Sequence, residues 1–168
     1  MKILIILLLF FFTTYSYGFP IPKNNKVEYD VIRKNKIIGS IITTFEKEDD
    51  NLHITTIVDI EVKVLFVTAY KFSQISKETW FKGEFIKIDG HADFEDEREY
   101  FIKGEDSENN FVASGMDGEL ILNKNILPLN YWNKKVLEEE EVFDTQKGIV
   151  RKITVNQLED EIIEINNK

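Results

Sequence analysis

Residues 52–72 alternate between apolar and polar positions over a long stretch of the chain. One register is apolar or favours β structure throughout, whereas the other contains His53, Asp59 and Glu61. Successive side chains leave a strand on opposite faces, so this period of two predicts strand with one buried face. The stretch is several-fold longer than a normal strand, and we expect it to bend or turn near residues 63–67. Both registers are apolar there, so we expect one part of the sheet to cover another.

Shorter alternating segments lie on both sides of this stretch, with turn residues between them. The predicted strands cover residues 27–32, 37–45, 73–80, 84–94, 99–103, 111–114, 119–122, 142–143 and 149–155. Polar or glycine-containing turns such as Lys82-Gly83 separate neighbouring strands and predict hairpins. Gly39 lies inside one strand and indicates a bulge or a point of close packing.

Residues 123–137 abandon the strand pattern. They contain Pro128, Tyr131 and Trp132, and the Asn130 side chain is suited to cap a short helix over residues 131–137. We therefore predict an all-β fold, with a strongly curved, mostly antiparallel sheet or a partly open β-barrel and one short helical plug.

The composition limits the classes of function. The chain has 168 residues, 43% of them hydrophobic, which suits a single β domain over residues 19–168. The net charge of −9 opposes binding to nucleic acid and to an anionic membrane surface. The absence of cysteine excludes thiol catalysis, disulfides and thiolate metal sites. We find no motif for a cofactor and expect none.

The N-terminus has the features of a secretory signal peptide. Lys2 precedes an unbroken apolar run over residues 3–12, which is too short for a stable membrane span. Ser16 and Gly18 give the small-x-small pattern of a cleavage site before Phe19. We expect export to the periplasm or the medium, with residues 1–18 removed and no transmembrane segment in the mature chain.

Several short motifs resemble those of a known family. They are Ile38-Gly39, Ala69-Tyr70-Lys71-Phe72, Glu78-x-Trp80-x-x-Gly83, Leu127-Pro128-x-x-x-Trp132-Asn133 and Asp144-Thr145-x-x-Gly148. Together they resemble family 6134 of the domains of unknown function, which are secreted bacterial β proteins without an established activity. The resemblance covers most of residues 27–155 and implies no catalytic residues. It also implies that this chain is C-terminally short relative to the family.

Two groups of polar residues are candidates for a metal or acid–base site. His91, Asp93 and Glu95 alternate along one predicted strand, and His53 precedes similar acidic positions. Metal sites usually recruit ligands from several elements, so a solvent-facing register is the stronger interpretation. We therefore predict no metal ligand and no catalytic residue. The Asp144-Thr145-x-x-Gly148 segment is interpreted as a turn.

The most direct functional hypothesis is a non-enzymatic periplasmic binding or carrier module for an apolar ligand, such as a lipid or acyl chain. It rests on the predicted export, the apolar register and the aromatic segment. In that segment Trp132 either anchors the core, with Asn133 as a cap, or forms a lid over a cavity. The predicted ligand-binding residues are Val62, Val64, Phe66, Tyr70, Phe72, Trp80, Tyr131, Trp132 and Asn133.

Two other classes of function stay open from the sequence. One is a scaffold or assembly protein of the cell envelope that acts through a sheet edge by strand addition. The other is a hydrolase or isomerase that uses His91 or His53. A carrier should be a monomer with a bound ligand, whereas a scaffold should oligomerise or retain a partner.

Overall fold

The computed structural model describes residues 21–95 and 98–160, so the predicted signal peptide at residues 1–18 lies outside the described residues. The described part contains ten strands and one short helix. The strands are β1 (Lys26–Arg33), β2 (Lys36–Glu48), β3 (Asn51–Val64), β4 (Val67–Phe81), β5 (Glu84–Phe94), β6 (Arg98–Asp106), β7 (Asn110–Gly115), β8 (Gly118–Asn123), β9 (Glu141–Asp144) and β10 (Ile149–Lys152). The prediction of an all-β fold is confirmed.

Strands β1 to β8 form one antiparallel sheet in which each strand pairs with its neighbour in sequence. The sheet is open, because β1 and β8 lie at its two edges rather than pairing to close a barrel. Strands β9 and β10 form a separate hairpin. No helix of the described part is long and apolar enough to span a bilayer.

Three of the hairpins turn through two residues that both have positive φ. These pairs are Lys34-Asn35, Leu65-Phe66 and Lys82-Gly83. Such a turn matches the twist of the flanking strands and favours Asn, Asp or Gly. The turn predicted within residues 63–67 is therefore confirmed, although Leu and Phe are unusual residues to occupy it.

The expectation that the apolar residues at this turn are covered is wrong. Val64, Leu65, Phe66 and Val67 are 56%, 88%, 101% and 68% exposed. The physical reason is that the pairing of β2 with β3 and of β5 with β4 ends before the turn is reached.

Gly39 occupies a point of close packing, as its position in the sequence predicts. A Cβ atom at this residue would overlap the backbone carbonyl of Asp59 on β3. A register shift between Val31 and Ile32 lies opposite, so a bulge accompanies the close contact.

Alternate residues of the sheet are buried on one face, which we call the inner face. Leu52, Ile54 and Val58 are buried, which confirms the apolar register predicted for β3. The buried residues form two clusters. The larger is built around Ile54, Trp80, Ile88, Phe111 and Phe143, and the smaller contains Val58, Phe72, Ala92 and Phe94.

Residues 126–148 pack against the larger cluster. The backbone of Phe143 on β9 exchanges hydrogen bonds with Leu127 and Leu129. The predicted short helix is a 3-10 helix, Lys134–Glu138, and its start was predicted wrongly. Asn133 rather than Asn130 caps it, because the Asn130 side chain accepts a hydrogen bond from the backbone N–H of Asn133 instead.

The segment after β9 is a turn, as predicted from Asp144 and Gly148. Asp144 Oδ1 accepts hydrogen bonds from the backbone N–H groups of Gln146, at 2.8 Å, and Lys147, at 3.2 Å. Gly148 has a φ of 67° and its backbone lies against Gly115 at the end of β7. The turn thereby fixes the β9–β10 hairpin to the sheet.

Candidate functional site

A cavity of about 350 Å³ lies between the inner face of the sheet and residues 129–132. Strands β1 to β4 supply its apolar wall, which consists of Val31, Ile41, Val58, Ile60 and Phe72. Residues 129–132 and the turn at residues 144–146 complete the lining. The cavity therefore lies beside the smaller cluster and next to the segment that departs from the strand pattern.

Polar side chains form the floor of this cavity. Thr43, Thr56 and Ser76 are paired across β2, β3 and β4, and they separate the two apolar clusters. The hydroxyl groups of Thr43 and Thr56 are 3.1 Å apart and form a hydrogen bond. The Ser76 hydroxyl is buried, with 1% of the residue exposed, and has no hydrogen-bond partner among the described residues. An unsatisfied buried hydroxyl in a cavity indicates a position for a ligand or a water molecule.

Gln74 connects the floor to the cover of the cavity. Its Nε2 atom donates to the Thr145 carbonyl oxygen at 3.1 Å and to the Thr145 hydroxyl at 3.3 Å. Both residues are buried. This contact holds the turn of residues 144–148 over the sheet, and so it fixes one side of the cavity.

Glu78 is a buried carboxyl group on the same inward register, with 3% of the residue exposed. Burial raises its pKa from the ordinary value of 4.5 to about 7, although a hydrogen bond from Trp80 opposes the shift. The Trp80 Nε1 atom donates to Glu78 Oε2 at 2.9 Å. Near neutral pH the group therefore exists in both protonation states, and it can accept or donate a hydrogen bond.

Trp132 belongs both to the core and to the cavity. Its ring meets the rings of Phe45 and Trp80 edge-on, with centroid distances of 5.6 Å and 5.4 Å. It also lines the cavity together with Tyr131, which is 75% exposed at the rim. The two roles considered for Trp132 from the sequence, core anchor and cover of a cavity, are compatible in this geometry.

The predicted ligand-binding residues fall into three places. Phe72, Tyr131 and Trp132 line the cavity. Trp80 and Asn133 are buried outside its lining, where Asn133 Oδ1 accepts a hydrogen bond from the backbone N–H of Lys135. Val62, Val64, Phe66 and Tyr70 lie near the end of the β3–β4 hairpin and take no part in the lining.

Sequence reasoning missed the polar floor, although a signal for it is present. Gln74, Ser76 and Glu78 follow one another in the register that begins with Phe72 and ends with Trp80. Three consecutive polar residues in an inward-facing register indicate a site where polar contacts replace the apolar packing of the core.

The two histidines lie on the outer face, opposite the cavity. His91 Nε2 is 2.6 Å from Glu99 Oε1 and its ring stacks on Phe101 with a centroid distance of 4.7 Å. His53 Nδ1 is 3.3 Å from the Thr79 hydroxyl. Within residues 21–95 and 98–160, no three potential metal ligands lie together.

Comparison with known proteins places the chain in a family. A family model described as Domain of unknown function (DUF6134) matches residues 29–168. Neither the curated proteins nor the solved structures contain a match to the chain.

Proposed function

Since the chain belongs to the DUF6134 family, a domain family of unknown function, we propose from its own geometry that it is a non-enzymatic binding or carrier module. Its ligand is a largely apolar molecule, such as a lipid or an acyl chain, that carries one polar end group. The observation that carries the proposal is the cavity with an apolar wall and a buried hydroxyl at its floor.

The size and the wall of the cavity support an apolar ligand. A volume of about 350 Å³ lies within the usual range for small-molecule pockets, which are mostly apolar with a few placed polar groups. The side chains of Val58, Ile60 and Phe72 offer contacts to hydrocarbon. The exposed Tyr131 at the rim leaves a side of the cavity next to solvent.

The floor selects the polar end of the ligand. The Ser76 hydroxyl has its hydrogen-bonding capacity unused among the described residues, and Glu78 lies on the same register two residues away. A carboxylate or phosphate end would be repelled by the ionised form of Glu78. An uncharged hydroxyl, amide or ester end avoids this repulsion and can bond to Ser76.

Native mass spectrometry tests the proposal directly. The protein is purified after export and without detergent, and anything bound is extracted into organic solvent. A reproducible added mass that is recovered as an apolar molecule supports the carrier function. A monomer without added mass, which also fails to bind a panel of acyl alcohols and amides, contradicts it.

A pair of neighbouring substitutions on β3 makes the test specific. Val58→Phe narrows the cavity and should lower the ligand-bound fraction about tenfold, because the added ring occupies the space of the ligand. Ile57→Phe places the same ring on the outer face, where Ile57 is 43% exposed, and should leave the bound fraction unchanged. Equal losses in both variants would show that the cavity is not the binding site.

We place this activity outside the cytoplasm, on the strength of the signal peptide predicted over residues 1–18. Expression of the full chain, followed by intact mass measurement of the exported protein, tests this location. An N-terminus at Phe19 supports it, and a cytoplasmic protein that retains Met1 contradicts it.

A scaffold function is the second candidate, and one observation favours it. Among the described residues, β1 and β8 pair with another strand on one side only, so each offers an edge for strand addition. Size-exclusion chromatography with light scattering separates the candidates. A ligand-free oligomer favours the scaffold, whereas a ligand-bound monomer favours the carrier.

A further inference from the structure

The end of the β3–β4 hairpin projects beyond the rest of the sheet. The pairing of β2 with β3 ends at Ile60, and the pairing of β5 with β4 ends at Phe72. Residues 61–71 therefore continue as a ribbon of two strands that pair with each other. Among the described residues, one backbone hydrogen bond ties the base of this ribbon to the chain after β5, from the Glu95 N–H to the Lys71 carbonyl oxygen at 3.2 Å. We call residues 64–67, at the end of this ribbon, the tip.

The tip is apolar, exposed and conformationally strained. Its four side chains are the exposed residues Val64, Leu65, Phe66 and Val67, and Phe66 is fully accessible. Leu65 and Phe66 have φ values of 49° and 68°, a backbone region that bulky residues rarely adopt. Exposure and strain both disfavour these residues for stability, so their presence indicates a function.

Other hairpins of the same chain have turn residues that are more usual for this backbone conformation. The turns Lys34-Asn35 and Lys82-Gly83 have the same two-residue length and the same sign of φ, with a polar or glycine residue at each position. The strain at Leu65-Phe66 is therefore not imposed by the sheet. It comes from the choice of two large apolar residues.

We propose that the tip inserts into the surface of a lipid bilayer with uncharged or zwitterionic headgroups. A stable protein–protein interface uses about 20–30 residues on each side, far more than the tip offers. A fluid bilayer closes around a narrow projection and needs no complementary partner surface. The residues behind the tip fit the same surface, because Tyr70 and the long side chains of Lys63 and Lys71 suit the headgroup level.

The charges near the tip favour zwitterionic over anionic lipid. Lys63 Nζ lies 2.9 Å from Glu61 Oε2, and the Thr68 hydroxyl donates to Glu61 Oε1 at 2.9 Å. These contacts lower the pKa of the Glu61 carboxyl, and the hydrogen bond from Lys63 contributes most. The negative charge of Glu61 therefore offsets the positive charge of Lys63. With Glu61, Lys63 and Lys71, the ribbon carries a net charge of only +1, while the chain as a whole, at −9, is repelled by anionic lipid.

The experiment uses the exported protein and a Phe66→Trp variant as a probe of insertion. Vesicles of phosphatidylcholine are the ligand, and brominated phosphatidylcholine is the quencher. We expect the emission of the new tryptophan to shift to shorter wavelength and to be quenched by the brominated lipid. We also expect flotation with the vesicles that does not increase when anionic phosphatidylglycerol is added.

Two turn variants provide the matched comparison. Leu65→Asn with Phe66→Gly gives the tip a favoured turn sequence, which preserves the hairpin and removes its apolar side chains. We expect it to lower vesicle binding about tenfold or more. Lys34→Asn with Asn35→Gly makes the same change in the β1–β2 turn and should leave binding at the level of the unmodified protein.

Three results would overturn the proposal. One is no flotation of the unmodified protein with any vesicle, and another is equal flotation of the protein and its tip variant. The third is a dimer that dissociates when the tip is changed, since the tip would then be buried in a second copy of the chain. Unfolding by urea, followed for each variant, shows whether a loss of binding reflects loss of structure.

Discussion

At the scale of single residues, Glu78 is a costly group to bury in the sheet. Its buried carboxyl accepts a hydrogen bond from Trp80, and burial raises its pKa to about 7. A shift of this size corresponds to roughly 3 kcal/mol of unfavourable energy for the ionised form. Such a group is retained where its protonation or its hydrogen bonding is used, and Glu78 lines the cavity.

Glu78 should make the protein less stable as the pH rises. The folded state holds the proton up to a pH of about 7, whereas the unfolded chain releases it near 4.5. The stability that the protonated Glu78 allows is therefore fully present below pH 4.5. It is lost as the pH rises to about 7. Glu78→Gln should match the original protein near pH 4.5 and exceed it by up to about 3 kcal/mol at pH 8.

Urea unfolding at several pH values measures this difference. Glu84→Gln, a change at an exposed position on β5, is the control and should keep the original pH dependence. If the stabilities of Glu78→Gln and the original protein change in parallel between pH 4.5 and 8, the pKa of Glu78 is not raised in the folded state.

The polar floor also shows what sequence can predict at this scale. The alternation of β4 is enough to place Gln74, Ser76 and Glu78 on the inner face. It cannot show which other segment lies above them, because that depends on contacts between residues far apart in the chain. Thr145, which bonds to Gln74, is 71 residues away from it.

At the scale of elements, the turn after β9 depends more on its cap than on its ion pair. Asp144 Oδ1 accepts two backbone hydrogen bonds within the turn, while Oδ2 accepts one from Arg151 Nε at 2.9 Å. Asp144 is buried, whereas the Arg151 side chain is 44% exposed. Solvent therefore weakens the ion pair, and the backbone bonds are expected to dominate.

A series of substitutions separates these two contributions. Asp144→Ala removes both and should lower the free energy of unfolding by about 2 kcal/mol. Arg151→Ala removes only the ion pair and should lower it by about 0.5 kcal/mol. Asp144→Asn can keep the Oδ1 bonds and should lie near Arg151→Ala. A loss in Arg151→Ala as large as that in Asp144→Ala would show that the ion pair holds the hairpin.

The elements themselves were largely predictable, because local signals specify them. Strand β5 has the predicted bounds, and the turn within the long alternating stretch lies where both registers become apolar. The exposure of that turn was not predictable from the same signals. Apolar residues usually indicate a covered surface, and the sequence of a hairpin does not reveal how far its neighbours extend.

At the scale of the whole molecule, the strand order follows from the short connections. Connections of two or three residues force neighbouring strands into antiparallel pairs, and the repetition of this step gives the order β1 to β8. The position of residues 126–148 over the inner face has no comparable local cause. It is fixed by contacts such as those of Trp132 and Phe143 with the core, which is why the cavity could be identified only in the structure.

Hydrogen exchange should reveal that the molecule is not uniformly stable. Strands β3, β4 and β5 are paired on both sides and carry the buried core, so their amides over residues 52–60, 72–80 and 85–94 should exchange slowest. The edge strands β1 and β8 should exchange faster by orders of magnitude, and the ribbon at residues 61–71 should resemble the edges, because each of its strands has one partner. If the amides of the ribbon instead exchanged as slowly as those of residues 52–60, 72–80 and 85–94, opening of the ribbon would require unfolding of the whole sheet. The ribbon would then not be an independent projection, and its exposed tip would need another explanation.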